Sequence, residues 1–204
     1  MKSLSIRACI TSVLLLAVSA CGTSGGKVPE DRFYRLPEPA MQQTVSRVAD
    51  ILIVKPVEPL DALRAQTVTR TDRSGIALEH YKHHRWASPP ARLVQAHLVA
   101  NLRRSGLADT VVDKPVLGSD QLTLRLQLER FERVIDGQLR SAAVTVRAEL
   151  SNAAGKAPLG TERFSAEVSA SSVEMENTIV AFGKALDQVS AELVSWIAQE
   201  STSS

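Results

Sequence analysis

Cysteine and aromatic residues are both scarce in this chain of 204 residues. Only two cysteines occur, Cys9 and Cys21, which is too few for a disulfide framework or a four-cysteine metal site. Aromatic residues make up 4% of the chain and are scattered along it. Stacking on nucleic-acid bases needs aromatic side chains grouped on one face, so we expect no nucleic-acid partner.

An excess of one charge is missing as well. The chain has 24 lysines and arginines against 22 acidic residues, which does not predict a polyanion-binding surface. It contains no P-loop, dinucleotide fingerprint or HExxH motif. Residues 22–26 match G-x-S-x-G in letters only, because a nucleophile elbow needs a strand before the serine. We therefore expect no catalytic residue, no metal and no cofactor.

The first 20 residues have the layout of a secretion signal. Two basic residues precede an apolar run over residues 8–18, which is too short to cross a bilayer as a mature helix. The run ends in small residues followed directly by Cys21, which resembles the lipobox of bacterial lipoproteins. In such proteins the signal is cleaved before the cysteine, which then carries fatty acids such as palmitate. The expected mature chain starts at Cys21, has no free thiol and carries no net charge.

The mature chain is expected to hold one domain on a tether. Residues 21–31 contain glycine, serine and proline without an apolar period, which is typical of a flexible linker. Residues 32–200 have the length of a single domain. The hydrophilic residues 201–204 are predicted to be a disordered tail.

The first half of the domain predicts strands and one helix. Residues 33–36 form a short aromatic strand, and residues 48–54 have the continuous β-branched pattern of a central strand. Strands at 66–70 and 76–82 are predicted to form a hairpin. A helix should begin with Ser88 as N-cap and end before Gly106, with one face that contains Leu93, Val94, His97, Leu98, Asn101 and Leu102.

The second half predicts a meander and a long helix. Leucines alternate with polar residues over 122–128, slip at a predicted β-bulge before Phe131, and are followed by strands at 142–150 and 164–170. The final helix has a capping-box start at Ser171 and a stripe that fits sheet packing better than a coiled coil: Met175, Ile179, Phe182, Leu186, Val189, Leu193 and Trp196. The predicted class is α+β, a mostly antiparallel sheet packed by two amphipathic helices.

The histidines do not predict a metal centre. His80 and His84 have helical ligand spacing, but the local pattern predicts a strand, in which the two would lie about 13 Å apart. His97 is expected to be a hydrogen-bonded, partly buried histidine. Trp86 has two interpretations, an aromatic that fills the corner between helix and sheet or an interface anchor. We take Arg85 and Trp86 as the candidate partner-contact residues.

The residues that match a known pattern are spread over the whole mature chain. They are residues 18–21, Phe33 to Leu36, the strand at 51–54, Tyr81, the block Arg85-Trp86-Ala87-Ser88-Pro89-Pro90, the helix to Gly106, the strand at 126–131 and the last helix to Trp196. Their order resembles the ABC-type transport auxiliary lipoproteins, a family that includes the paraquat-inducible-type outer-membrane lipoproteins. The Trp-Ala-x-Pro-Pro block is the most specific part of this resemblance.

The resemblance implies a non-catalytic role in transport of a lipid or another hydrophobic compound. The implied partners are an MCE-domain protein with its ABC permease and ATPase, and some relatives are similar to ring-forming homo-oligomers. The implied location is the periplasmic face of the outer membrane, which Gly22 after the lipidated cysteine also fits. Two alternatives stay open: an assembly factor or activator that binds an outer-membrane barrel or a cell-wall enzyme, and a lipid carrier with an acyl cavity.

Overall fold

The structure, a computed structural model, describes residues 30–41, 43–114, 120–152 and 158–202. The predictions for the signal, Cys21 and the tether up to residue 29 lie outside these ranges. The described residues contain nine strands, β1 (Arg32–Tyr34), β2 (Ala49–Val54), β3 (Glu58–Pro59), β4 (Thr67–Asp72), β5 (Glu79–Trp86), β6 (Ala108–Val112), β7 (Gln121–Asp136), β8 (Leu139–Asn152) and β9 (Pro158–Ser169), and two α-helices, α1 (Pro90–Arg104) and α2 (Met175–Thr202).

Strand β7 organises the single mixed sheet. Along one edge it pairs in parallel with β2, then β3, then β4. Along its other edge it pairs antiparallel with β8, which pairs antiparallel with β9. The sheet extends beyond β2 through β6 and beyond β4 through β5 and β1. The α+β class and the meander of β7, β8 and β9 are confirmed, while the parallel pairings on β7 were not predicted.

The leucine alternation in β7 directs one face of the sheet towards the helices. The register between β7 and β8 shifts between Leu128 and Arg130, where the sequence predicts a bulge. This shift returns Phe131 to the buried face, where it is almost completely covered. In a regular strand Phe131, three residues after Leu128, would lie on the face that β7 turns away from the helices.

Helix α2 closes the core by packing on β8 and β9. Every residue of the predicted apolar stripe is buried, so the sheet-packing interpretation is confirmed. Gly160 in β9 makes room for Trp196, because a Cβ there would lie 3.1 Å from the indole ring. The helix starts at Met175 and runs to Thr202, two residues into the predicted tail. Near its start Ser172 Oγ, rather than the predicted Ser171, accepts the N–H of Glu174.

Helix α1 begins later than the sequence predicts. Its N-cap is Pro89, with no side-chain cap hydrogen bond, and Pro90 occupies the first turn. Ser88 as N-cap is therefore wrong, because Pro89 has an extended ψ of 137° and postpones the first helical turn. The predicted end is confirmed by Gly106, which has a left-handed φ of +71°.

The predicted hairpin of β4 and β5 and the predicted central strand β2 are confirmed, but their first and last residues differ from the prediction. Strands β4 and β5 pair antiparallel around the turn at Asp72 and Gly75, but β5 continues to Trp86 instead of ending at residue 82. Strand β2 lies between β7 and β6, so it has a neighbour on both edges. Strand β6 was not predicted from its sequence.

An extended segment crosses the two helices. We call residues 35–41 and 43–48 the strap. The N–H of Ala40 donates to both carboxylate oxygens of Asp187 in α2, and the N–H of Val45 donates to the carbonyl of Ser105. Pro37 lies over Gly183 of α2, so the strap is held on both helices.

Candidate functional site

Trp86 is the last residue of β5, and its side chain is completely buried. Its ring packs against Phe131 at 5.0 Å and Phe182 at 5.3 Å between centroids. The side chain therefore fills the corner between the sheet and α2. In this conformation a partner can reach the neighbours of Trp86 but not its ring.

Arg85 belongs to a small charged group on the surface. Its Nε donates to Asp31 Oδ2 over 2.5 Å, and its side chain remains 39% exposed. His83 Nδ1 lies 3.2 Å from the other oxygen of Asp31. The hydrogen bonds from His83 and from Arg85 hold the pKa of Asp31 below its usual value. Asp31 is thus a carboxylate at neutral pH, and it orients both bases where the chain enters the domain.

Phe33 completes this surface. It is opposite Arg85 in the register of β1 with β5, and 64% of its area is exposed. Exposed aromatic and arginine side chains carry much of the binding energy at protein interfaces. We call Asp31, Phe33, His83 and Arg85 the contact surface. The sequence analysis named Arg85 as a candidate contact but not Phe33, because alternation in a three-residue strand does not tell which aromatic faces outward.

Polar and aromatic side chains support this surface from the helix side. The Tyr34 hydroxyl lies 2.8 Å from His84 Nδ1, and Tyr81 packs edge-on against the same imidazole at 5.3 Å. Arg133 donates to the Tyr81 hydroxyl over 3.1 Å and also to the carbonyl of Val173. Burial, then the charges of Arg32 and Arg133, lower the pKa of His84. The cluster therefore holds β1 against β5 with a neutral histidine at its centre.

The histidines bind separate partners. His80 Nδ1 lies 2.9 Å from Thr67 Oγ1, whereas His84 contacts Tyr34. Both lie in β5, as the strand interpretation predicts. No group of three metal-ligating residues occurs within the described ranges.

A second polar cluster lies between the helices. His97 Nε2 is 2.8 Å from Asp187 Oδ1, which also accepts from Asn101. Asn101 donates in addition to Ser190. Burial lowers the pKa of His97 against the opposing effect of Asp187. His97 Nδ1 has no partner among the described groups, so no nucleophile is hydrogen-bonded to this pair. The cluster joins α1, α2 and the strap, which is a structural role.

A cleft beside α1 does not have the lining expected of an acyl-chain carrier. It encloses about 620 Å³ between the loop after β2 and the helix, and its lining includes Arg92, Arg103 and Asp113. A fatty chain there would displace water from charged groups at a free-energy cost. Among the described helices, none combines the length and apolarity needed to cross a bilayer.

Comparisons with known proteins give the family. The family model for the ABC-type transport auxiliary lipoprotein component matches residues 34–194. Protein XCC0632 from Xanthomonas campestris, of the family DUF330, is 22% identical with a TM-score of 0.69, over 84% of this chain and 98% of its own. An uncharacterised protein is 23% identical with a TM-score of 0.66, over 82% and 99%.

A more distant structure shares the fold. The hypothetical protein CT253 from Chlamydia trachomatis is 10% identical with a TM-score of 0.52, over 76% of this chain and 99% of its own. A comparison with curated protein sequences found no match. The family match covers most of the domain described above, from Tyr34, the last residue of β1, to Val194 in α2. This chain therefore belongs to the ABC-type transport auxiliary lipoprotein components.

Proposed function

We propose that this protein is a non-catalytic dock for an MCE-associated ABC transporter of a lipid or another hydrophobic compound. Acylated Cys21 attaches it to the periplasmic face of the outer membrane, and the domain captures the periplasmic part of the transporter. The observation that carries the proposal is the family match over residues 34–194. The polar clusters support it, since His97 and His84 are both occupied by structural contacts.

The contact surface is the proposed place of capture. Phe33 offers exposed apolar area beside the Arg85 and Asp31 pair, and a partner that covers Phe33 also removes this pair from water. Excluding water strengthens the attraction within the pair but also removes hydration from both charges, so Phe33 supplies the apolar area and the pair mainly supplies specificity. Trp86 contributes by fixing the end of β5, so its proposed role in partner contact is to position Arg85.

The tether favours capture by weak contacts. Asp31 is the last residue of the tether, so only nine residues of chain separate the contact surface from Cys21. Attachment converts capture into a local event with a high effective concentration of dock and partner. A large or strongly apolar interface is then unnecessary.

Several copies can act together if they assemble through β9. This strand pairs with β8 along one edge, and no strand of the described part of the chain covers its other edge. An uncovered strand of 12 residues presents free backbone groups to another chain. We propose this edge as the contact of a homo-oligomer, which native mass spectrometry of the detergent-extracted protein will test.

The deciding experiment is an in-cell crosslink and detergent pull-down of the tagged protein. Wild type should recover an MCE-domain protein with its permease or ATPase, and Cys21→Ala should lose them. Phe33→Ala and Arg85→Ala should each reduce recovery at unchanged protein level. Arg64→Ala is the matched control for Arg85→Ala, because Arg64 is also exposed and paired with an aspartate, Asp61, at 2.8 Å.

The same experiment distinguishes transport docking from the alternative role of an assembly factor or activator. Recovery of an outer-membrane barrel or a cell-wall enzyme, without transporter subunits, would replace transport docking by an assembly or activation role. Equal recovery with Arg85→Ala and Arg64→Ala would remove the contact surface from the proposal and leave the family role in place.

A further inference from the structure

One end of the sheet carries two uncovered aliphatic side chains on turns. Ile76, in the turn between β4 and β5, is 89% exposed, and Leu139, at the start of β8, is 70% exposed. We call the β4–β5 turn and the β7–β8 turn together the hairpin end. Both turns are built on left-handed glycines, Gly75 at φ +68° and Gly137 at φ +55°. Tight turns of this kind have no need of an exposed isoleucine or leucine.

The two turns are fixed side by side. Asp72 lies opposite Ile135 in the pairing of β4 with β7, and Arg73 donates to Asp136 across the turns over 2.8 Å. The connection from β9 to α2 is at the same end, since the N–H of Ala170 donates to the carbonyl of Arg140.

This connection adds a third aliphatic side chain, Val173, which is 45% exposed. Its carbonyl accepts a hydrogen bond from Arg133 of β7, which fixes it near the turns. Three segments that are distant in sequence therefore present aliphatic side chains at one end of the domain.

We propose that the hairpin end docks on the membrane, with Ile76 and Leu139 inserted at the lipid interface of the leaflet that holds the chain's own acyl anchor. The inference rests on the proposed attachment through Cys21. The acyl anchor would hold the domain at the membrane, and docking of the hairpin end would fix its orientation.

The direction of the chain supports a membrane as the occupant. Strand β1 is parallel to β5, and β5 starts at the hairpin end, so β1 also runs away from that end. Arg32 pairs with His84, so β1 begins five residues, about 17 Å along the strand, from the hairpin-end start of β5 at Glu79. Nine residues separate Cys21 from Asp31 and can span at most about 30 Å. The acyl chains and the hairpin end can therefore reach one membrane surface together.

The chemistry of the turns also favours lipid over protein. Specific protein interfaces bury roughly 600 Å² or more on each side, whereas this end exposes three aliphatic side chains on three separate segments. The two turns are neutral together, with Arg73 and Arg140 against Asp72 and Asp136, and Glu174 beside Val173 adds one exposed acid at the edge. Arginines beside aliphatic side chains suit the headgroup boundary, where the guanidinium stays in contact with water and phosphate.

Docking at this end would point α2 into the periplasm. The helix starts near the hairpin end and its 28 residues extend about 40 Å. Its C-terminal end lies beside the start of β9, as the contacts of Gly160 with Trp196 and Glu200 show, so Thr202 would be at the opposite end of the domain from the bilayer. Depth measurements can therefore compare the two ends of one molecule.

The test uses the full mature lipoprotein in vesicles of phosphatidylethanolamine and phosphatidylglycerol. Single cysteines, Ile76→Cys, Leu139→Cys and, as the distant control, Thr202→Cys, carry a fluorophore that reports polarity. Doxyl-labelled lipids should quench the fluorophores at positions 76 and 139 several-fold more than the one at 202. Equal quenching at all three positions would overturn the inference. A blue shift without lipid quenching would also overturn it, because it would place these side chains against protein.

A variant pair tests the side chains themselves. With the fluorophore on Gln138→Cys, the double change Ile76→Asn and Leu139→Asn should reduce quenching to the level at position 202. Val180→Asn, at another exposed aliphatic residue, should leave it unchanged. Undiminished quenching in the double variant would contradict insertion. Flotation separates the two proposals: wild type that fails to float refutes the lipid anchor, whereas floating protein with unquenched labels refutes only the docking.

Discussion

The crossing of the strap over α2 depends on the absence of one side chain. Gly183 lies inside the helix, where alanine is normally about 1 kcal/mol more favourable than glycine. Here a Cβ would lie 2.3 Å from Pro37 Cγ and 3.0 Å from Pro37 Cδ. Carbon atoms in contact prefer about 3.5–4.0 Å. The proline ring cannot rotate away, so the strap or the helix has to move by more than an ångström.

We therefore predict that Gly183→Ala destabilises the protein. Overpacking costs about 1–3 kcal/mol, and the helix-propensity gain offsets about 1 kcal/mol of it. The displacement also strains the hydrogen bonds from Ala40 to Asp187. The expected net loss in the free energy of unfolding is up to about 2 kcal/mol, which lowers Tm by up to roughly 8 °C for a domain of this size. Urea unfolding and calorimetry measure both quantities.

The same substitution in a Pro37→Ala background tests whether the contact with Pro37 is the cause. Pro37→Ala removes Cγ and Cδ and leaves a Cβ at 3.7 Å from the new methyl group, an ordinary contact. In that background Gly183→Ala should be neutral or stabilising by up to about 1 kcal/mol. The double-mutant cycle should then give a coupling free energy of about 1–3 kcal/mol. A stability gain from Gly183→Ala with Pro37 in place would refute the close crossing.

Three further predictions concern buried side chains. Burial lowers the pKa of His97, so the unfolded state binds the proton more tightly and stability should fall as pH drops through about 6.5; His97→Gln should flatten this slope in urea unfolding between pH 8 and 5, and equal slopes would contradict it. Trp86→Ala should cost about 3–5 kcal/mol in the same assay, whereas Arg85→Ala, at an exposed ion pair, should cost less than about 1 kcal/mol. Burial raises the pKa of Glu132, whose ion pair with Arg130 spans 3.3 Å, so its ionisation destabilises the fold as pH rises; Glu132→Gln should raise Tm at pH 7 and lose this advantage near pH 4, and a lower Tm at pH 7 would count against the argument.

The sequence predicts those elements whose pattern repeats over many residues. The leucines of β7, the bulge before Phe131 and the stripe of α2 were all readable, because burial imposes a period of two or of 3.6. Strand β6 was missed, since its five residues include Asp109 and Thr110 and show no clear alternation. The parallel attachments of β7 also escaped prediction, because pairing between distant strands leaves no local period.

At the contact surface, too, some features could be predicted from the sequence and others could not. Residue type indicated that aromatics matter near the start of the domain and at the end of β5. Only the pairing of β1 with β5 shows that Phe33 is exposed and Trp86 buried. Ser88 was mistaken for the N-cap because serine favours that position, yet the two prolines that follow decide where helical backbone can begin.

Anchor, contact surface and core are connected through one stretch of chain. Under the proposed function, a force on the membrane anchor would reach the domain first at Asp31, whose carboxylate binds Arg85 and His83. The chain then passes through β1 into the strap, which Gly183 and Asp187 hold on α2. A partner bound at Phe33 and Arg85 would therefore be linked to acylated Cys21 through the tether and β1. The sheet and helices keep that stretch in place, so a weakened core should impair docking by displacing β1, even where no contact residue has changed.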